Sequence, residues 1–164
     1  MSSWAEQVGV AFATEFSDLP SLTEATQIVI RLALAALLGG LLGFERSQKG
    51  KAAGVRTHML VAIGSAMFVV APLQAGADPD GLSRVIQGLV AGIGFLGAGT
   101  ILKTGEHISD VKGLTTAAGI WLTAAIGMAC GMGREASAVL STFLALAILY
   151  GVPRLVERFD REDP

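Results

Sequence analysis

The sequence predicts an all-α membrane protein: a bundle of five transmembrane helices preceded by a short helix at the membrane surface. Hydrophobic residues make up 52% of the 164-residue chain and charged residues only 16%, whereas ordinary soluble domains are about 25% charged. Mean hydropathy is +0.59, and the apolar residues form five stretches separated by polar links. Many of the 21 glycines lie inside these stretches, as in closely packed membrane helices.

The amino-terminal segment, residues 1–24, is predicted to lie outside the bundle as a periplasmic tail. Apolar side chains spaced four apart share one side of a helix, and this segment has four of them: Trp4, Val8, Phe12 and Phe16. The stretch 4–16 is too short and too polar to span a bilayer. Two interpretations stay open: a helix lying on the outer surface, or a frayed tail.

Five spanning helices are predicted in the transmembrane domain, residues 25–152. The first follows the capping box Ser21-Leu22-Thr23-Glu24, and Pro153 is expected to end the last, leaving a charged tail at 153–164. Each span of about 17–20 residues would be about 26–30 Å long, close to the roughly 30 Å of bilayer hydrocarbon. The predicted spans are about 25–44, 57–74, 84–102, 113–132 and 136–152.

Lysine and arginine counts predict the orientation, because cytoplasmic links carry more of them. One side of the membrane would hold only two cations, Arg84 and Arg134. The other side would hold nine, in the first and third links and the carboxyl tail: Arg46, Lys49, Lys51, Arg56, Lys103, Lys112, Arg154, Arg158 and Arg161. We therefore expect the amino terminus outside and the carboxyl terminus in the cytoplasm.

The run Gly92-Ile93-Gly94-Phe95-Leu96-Gly97 matches the letters GxGxxG. A dinucleotide loop also needs a preceding strand and an acidic residue on a second strand, and neither signal is present. Glycines four apart instead let membrane helices approach closely, and three pairs have this spacing: Gly39 and Gly43, Gly88 and Gly92, and Gly127 and Gly131. Gly94, Gly97 and Gly99 are expected to loosen the third helix as well.

Arg31 lies about one and a half turns into the first predicted helix, where a charge is costly in hydrocarbon. Two interpretations stay open. Its side chain snorkels to the outer headgroups, or it belongs to a buried polar network in which Gln87 of the third helix takes part.

Polar residues of both signs are expected to cluster at the cytoplasmic face, forming either a salt-bridged cap or solvated loops. They are Glu45, Arg46, Arg56, Thr57, His58, Lys103, Glu106, His107, Asp110 and Lys112. Glu45 and Asp110 are the weak candidates for metal ligands, because the histidines lack zinc-ligand spacing. Thr115 and Thr116 are expected to bond helix backbone, and Trp121 to pack. No arrangement typical of an active site is present, so we expect neither an enzyme nor a cofactor.

Four ordered motifs covering about residues 30–152 resemble the MgtC/SapB family of bacterial inner-membrane proteins. They are RLALAALLGGLLGFER (31–46), AGVRTHMLVAIGSAMF (53–68), GIGFLGAGTIL (92–102) and VKGLTTAAGIWLTAAIGMACGMG (111–133). The resemblance implies five membrane helices and an inner-membrane location. Many members add a soluble cytoplasmic domain after the last helix, and this chain is expected to be the form without it.

The resemblance also implies a function. Family members are linked to growth at low magnesium, to stress and to survival in host cells, and the best-studied ones look like regulators of membrane complexes such as the ATP synthase. The family's motif positions matched here include Arg31, Glu45, Arg46, Arg56, Thr57, His58, Lys103, Lys112, Thr115, Thr116 and Trp121, and no catalytic role comes with them.

We therefore expect a regulator that docks onto another membrane protein complex, with a magnesium or other ion transporter as the alternative. The expected partners are the lipid bilayer, a membrane protein complex and a second copy of the chain. Nucleic acid is not expected, since the net charge is −2.

Overall fold

The computed structural model describes residues 3–15, 17, 21–103 and 111–159, and gives only the backbone of residues 102–103. The elements in order are α1 (Trp4–Glu15), α2 (Leu22–Gln48), α3 (Val55–Gln74), α4 (Pro79–Ala98), β1 (Leu102–Lys103), β2 (Val111–Lys112), α5 (Leu114–Gly131) and α6 (Glu135–Phe159). The all-α fold class is confirmed. Within the described residues, five helices, α2 to α6, are long and apolar enough to cross a membrane.

Residues 1–30 form a compact unit of their own. The helical interpretation of the amino-terminal segment is confirmed, since α1 is a helix with every residue exposed. A capping pair opens it, because the Ser3 N–H donates to Glu6 Oε2 (2.8 Å) and the Glu6 N–H to Ser3 Oγ (3.3 Å). Ser21 caps α2 in the predicted way, accepting from the Glu24 N–H at 3.1 Å. The location of α1 on a membrane surface stays a prediction.

Residues 31–164 form the second unit, in which α3 lies between α2 and α5. Glycines make both contacts close. A Cβ on Gly39 would lie 2.7 Å from the His58 carbonyl oxygen, and one on Gly131 would lie 2.6 Å from the Ala66 carbonyl oxygen. A Cβ on Gly127 would collide with the Ala62 carbonyl oxygen. The predicted packing of Gly39, Gly43, Gly127 and Gly131 is thereby confirmed.

Alanines and a cysteine, with a few larger aliphatic side chains, fill the core that these contacts create. Its buried residues come from α2, α3, α5 and α6: Ala35, Leu38, Leu42, Ala62, Ala66, Ile126, Cys130, Ala138 and Ala145. Cys130 is the chain's single cysteine and its side chain is fully buried. Dispersion between closely approaching helices is the main attraction available in lipid, so short side chains suit this position.

Helix α4 begins with conventional capping signals. Asp78 caps it by accepting from the Gly81 N–H at 2.7 Å, and Pro79 occupies the first turn. After α4, β1 and β2 pair antiparallel, with Leu102 opposite Lys112. Gly113 then adopts a φ of +97°, and a Cβ there would collide with the Thr100 carbonyl oxygen. This position therefore requires glycine.

Two predictions about helix continuity are wrong. Pro153 does not end the last helix, since α6 continues through it to Phe159. In the same turn, Arg154 Nη1 donates to the Tyr150 carbonyl oxygen at 3.0 Å. Gly94 and Gly97 do not loosen α4, which is α-helical up to Ala98. Gly99, the C-cap residue, is also in a right-handed helical conformation.

Candidate functional site

Buried charge collects at one end of the bundle, which we call the basic end because it carries Arg46, Lys49, Lys51 and Arg56. Glu45 and Arg46, in the last turns of α2, are only 1% and 4% exposed. The Arg46 Nε donates to Glu45 Oε2. The other carboxylate oxygen, Oε1, is buried and has no hydrogen-bond partner among the described residues. Burying an acceptor without a donor costs free energy. The Glu45 carboxylate is therefore only half hydrogen-bonded among the described residues.

His58 joins the pair from the first turn of α3, where it is 1% exposed. Its Nδ1 lies 3.0 Å from the Gly54 carbonyl oxygen. Because a carbonyl oxygen only accepts, Nδ1 carries the hydrogen and Nε2 of the neutral ring is an acceptor. Nε2 faces α5, where a Cβ on Gly119 would lie 3.6 Å from it.

Two cavities border this cluster. The outer cavity, about 390 Å³, has a polar wall of Glu45, Arg46, Lys49, Lys51 and Thr115. The inner cavity, about 180 Å³, has Arg46, His58 and Thr115 among mostly apolar neighbours. Arg46 and Thr115 line both cavities, so they mark the boundary between them. Of the predicted site residues, the structure therefore brings together Glu45, Arg46, His58 and Thr115.

Arg31 occupies the opposite end of the bundle and closes the turn between α5 and α6. Its Nη1 donates to the Gly131 carbonyl oxygen at 3.2 Å, and its Nε lies 3.9 Å from Glu135 Oε1. These contacts favour the interpretation that Arg31 belongs to a polar network. The prediction that Gln87 takes part in this network is wrong. Gln87 donates instead to Ser83 of its own helix at 3.3 Å.

The glycines of α4 differ from those of the other helices. A Cβ on Gly88, Gly92 or Gly94 would meet nothing within 4 Å, so their predicted packing is not realised within the chain. Gly97 packs against α5, since a Cβ there would lie 3.5 Å from the Ala117 Cβ. We call the exposed surface formed by Gly88, Ala91, Gly92 and Phe95 the α4 outer face; Phe95 is 84% exposed.

Two apolar clefts separate α4 from α3. One, about 610 Å³, is lined by residues that include Gly64, Ser65 and Phe68 of α3. The other, about 490 Å³, reaches Gly88 and Gly92 of the α4 outer face. Ser65 is 1% exposed and its Oγ has no hydrogen-bond partner in the described part of the chain.

The remaining predicted residues lie apart from the cluster or outside the described part of the chain. Arg56 and Lys112 are exposed and Thr116 is buried. Trp121, predicted to pack, is 50% exposed, so only part of its side chain is in contact with the bundle. The side chain of Lys103 and the residues Glu106, His107 and Asp110 lie outside the described part of the structure.

Sequence reasoning missed Ser65 and Glu135, and treated Lys49 and Lys51 only as topology signals. A serine in an apolar run gives no sign of an unpaired hydroxyl. Glu135 could have been found, since it is an acid at the start of a helix on the same predicted side as Arg31.

A metal centre is not formed by the described residues, since no group of three or more His, Cys, Asp or Glu side chains lies close together among them. Glu45, one of the two weak ligand candidates, is paired with Arg46 instead. An adjacent guanidinium competes with a metal cation for the same carboxylate.

The chain is similar in sequence to known proteins. The profile of the MgtC family matches residues 32–158. Protein SrpB of Synechococcus elongatus is 46% identical over 135 residues, covering 76% of this chain and 74% of that protein. The putative magnesium transporter YhiD of Escherichia coli K12 is 42% identical over 130 residues, 75% of this chain and 59% of YhiD.

Protein MgtC of Brucella abortus is 47% identical over 117 residues, covering 71% of this chain. The chain spans 48% of that relative's length. No solved structure matches the chain. The family profile covers most of the sequence and reaches into each of the five apolar helices, so this multi-pass membrane protein belongs to the MgtC family.

Proposed function

We propose that this protein is a regulator that binds another membrane protein complex through the α4 outer face and adjusts that complex when magnesium is limiting. The single observation that carries the proposal is the pair Gly88 and Gly92, which has no close neighbour in the described part of the chain. Glycine costs about 1 kcal/mol in a helix relative to alanine, and lipid supplies nothing that offsets this. A closely approaching helix of a partner would offset it.

The same spacing elsewhere in the chain supports this interpretation. Gly39 and Gly43 contact α3, as do Gly127 and Gly131, so glycines four apart serve helix contact in this protein. On α4 the contact would be made by another polypeptide. Loss of the partner would then leave the fold of the chain intact.

The test is Gly92→Leu, whose Cβ would meet no atom of the described residues within 4 Å. We expect normal amounts of folded protein, impaired growth under magnesium limitation, and loss of the partner from crosslinked native membranes. Gly151→Leu is the matched control, since Gly151 of α6 is also exposed with nothing within 4 Å. Normal growth and crosslinking of Gly92→Leu would contradict the proposal.

A magnesium transporter is the second candidate, favoured by the unpartnered Glu45 Oε1 beside the outer cavity. The relative YhiD also carries the name putative magnesium transporter. Magnesium prefers about six oxygen ligands and loses its water reluctantly, whereas the outer cavity offers one carboxylate among cations. Magnesium flux through the purified chain in liposomes would replace the regulator by the transporter. Absence of flux, with Gly92→Leu impaired, would support the regulator.

A function without catalysis goes with both candidates. The name of YhiD describes a transporter, and the buried cluster pairs Glu45 with Arg46 rather than with a nucleophile. The orientation, with the basic end in the cytoplasm, is part of the proposal and rests on the lysine and arginine count.

A further inference from the structure

The outer cavity at the basic end combines two unlike walls. Glu45, Arg46, Lys49, Lys51 and Thr115 form the polar wall, and α6 supplies an apolar wall of Ile148, Leu149, Val152 and Pro153. A cavity with this division fits an amphipathic molecule better than a hydrated ion.

The cavity lies at the depth of lipid headgroups. The helix that carries Glu45 has 27 residues, which at 1.5 Å per residue gives about 40 Å, longer than the roughly 30 Å hydrocarbon layer. Its last turns therefore reach the interface, where phosphates of the lipids lie. Basic pockets between membrane helices at this level are typical of phospholipid headgroup sites.

The polar wall carries an excess of positive charge, which attracts phosphate. Three cations, Arg46, Lys49 and Lys51, face the single carboxylate of Glu45. The first turn of α5 adds to them, because Gly113 offers no side chain to cap it and the N–H groups and dipole at the amino-terminal end of a helix attract anions. Thr115, in that turn, also lines the cavity.

The polar wall also contains a buried acceptor that lacks a donor among the described residues. Glu45 is 1% exposed and lines the cavity, and its Oε1 accepts no hydrogen bond from the described residues. The Arg46 guanidinium, whose side chain is 5% exposed, is engaged with the other carboxylate oxygen. A ligand with phosphate alone would leave Oε1 unsatisfied, whereas one with phosphate and a nearby ammonium would satisfy both.

We propose that this cavity binds the headgroup of phosphatidylethanolamine. Lys49, Lys51 and the first turn of α5 hold the phosphate, and the ammonium donates to Glu45 Oε1. An acyl chain lies along Ile148, Leu149 and Val152 of α6. The site is independent of the α4 outer face and of what that face binds.

The test measures lipid retention by the purified full chain, using native mass spectrometry with phosphatidylethanolamine, phosphatidylcholine and phosphatidylglycerol. Phosphatidylcholine has the same phosphate, but its nitrogen has no hydrogen to donate. Loss of one hydrogen bond to a charged group predicts roughly tenfold weaker retention of phosphatidylcholine than of phosphatidylethanolamine. Phosphatidylglycerol, which lacks the ammonium, should also be retained more weakly.

Variants test the phosphate half of the site. The double variant Lys49→Gln/Lys51→Gln changes two exposed side chains and should weaken phosphatidylethanolamine retention about tenfold or more. The matched control, Arg84→Gln/Arg134→Gln, removes two exposed cations from the opposite end and should leave retention unchanged. Circular dichroism checks that each variant is folded.

The proposal would be overturned by equal retention of phosphatidylethanolamine and phosphatidylcholine, by equal losses in the two double variants, or by stronger retention of phosphatidylglycerol. Displacement of the lipid by soluble phosphoethanolamine would assign the site to a soluble phosphate compound and overturn the lipid assignment. Failure of soluble phosphoethanolamine to compete supports the lipid.

Discussion

The glycines of α5 and those of α4 have the same spacing but different surroundings. Gly127 and Gly131 lie against backbone carbonyls of α3, whereas Gly88 and Gly92 of α4 have open space around them. The first pair holds the bundle together and the second leaves a surface available to another helix. The comparison teaches that a small-residue motif defines a place of close approach and says nothing about which polypeptide approaches.

The largest effect is expected from Gly127→Val. The new side chain would meet the Ala62 carbonyl, which is backbone and cannot rotate away. We expect a loss of at least about 3 kcal/mol, the upper end of ordinary overpacking, and little folded protein. Thermal unfolding in detergent, followed by circular dichroism, is the measurement. Gly88→Val should unfold near the wild-type temperature, and equal losses in the two variants would remove the distinction between the surfaces.

Glu45→Ala is expected to be the next most damaging change. It leaves the Arg46 guanidinium buried without its carboxylate, and breaking a buried ion pair this way costs about 3–5 kcal/mol. Glu135→Ala is the control, because the Glu135 side chain is 42% exposed and such a pair contributes about 0–1 kcal/mol. Similar unfolding temperatures for the two variants would show that the basic end is better solvated than its burial indicates.

Arg31→Leu should have an intermediate effect on the packed region. It removes the donor to the Gly131 carbonyl oxygen at the end of α5, a charge-assisted bond that contributes about 1.5 kcal/mol. Assembly or activity should weaken with it. Gln87→Leu, outside this network, is the matched comparison in the same unfolding assay. An unchanged unfolding temperature and phenotype for Arg31→Leu would reduce Arg31 to an interfacial anchor.

The smallest effect is expected from Ser65, in the cleft between α3 and α4. Ser65→Ala removes a buried hydroxyl that has no partner within the described residues, so stability should rise, by about 1 kcal/mol. Thr142→Ala is the control, since its hydroxyl donates to the Ala138 carbonyl oxygen at 2.9 Å. Destabilisation by Ser65→Ala would mean that the hydroxyl has a partner in the folded protein.

Much of the fold could be predicted from hydropathy, because each apolar stretch has to bond its backbone internally once it is in lipid. The capping box at Ser21 located the start of α2. The start of α4 was missed, because the span was predicted at about 84–102 and the helix begins at Pro79, behind the Asp78 cap. Pro153 misled because a proline removes one backbone hydrogen bond without always ending a membrane helix, and α6 continues through it.

The candidate site was only partly predictable. Glu45 and Arg46 are neighbours in sequence, so their association follows directly. His58 joins them because Gly39 and Gly43 bring α2 close to α3, and glycine spacing does not identify which helix is approached. An unpaired Ser65 hydroxyl depends on how α3 and α4 diverge, which is a property of three-dimensional packing.

The complete burial of Cys130 gives this protein a silent background for thiol labelling. Water-soluble maleimides should leave the native chain unmodified, so a single cysteine introduced at Lys49 or at Arg84 would be its only reactive group. Labelling of intact cells against opened membranes would then assign each end of the bundle to one compartment, with no need to alter the native cysteine first.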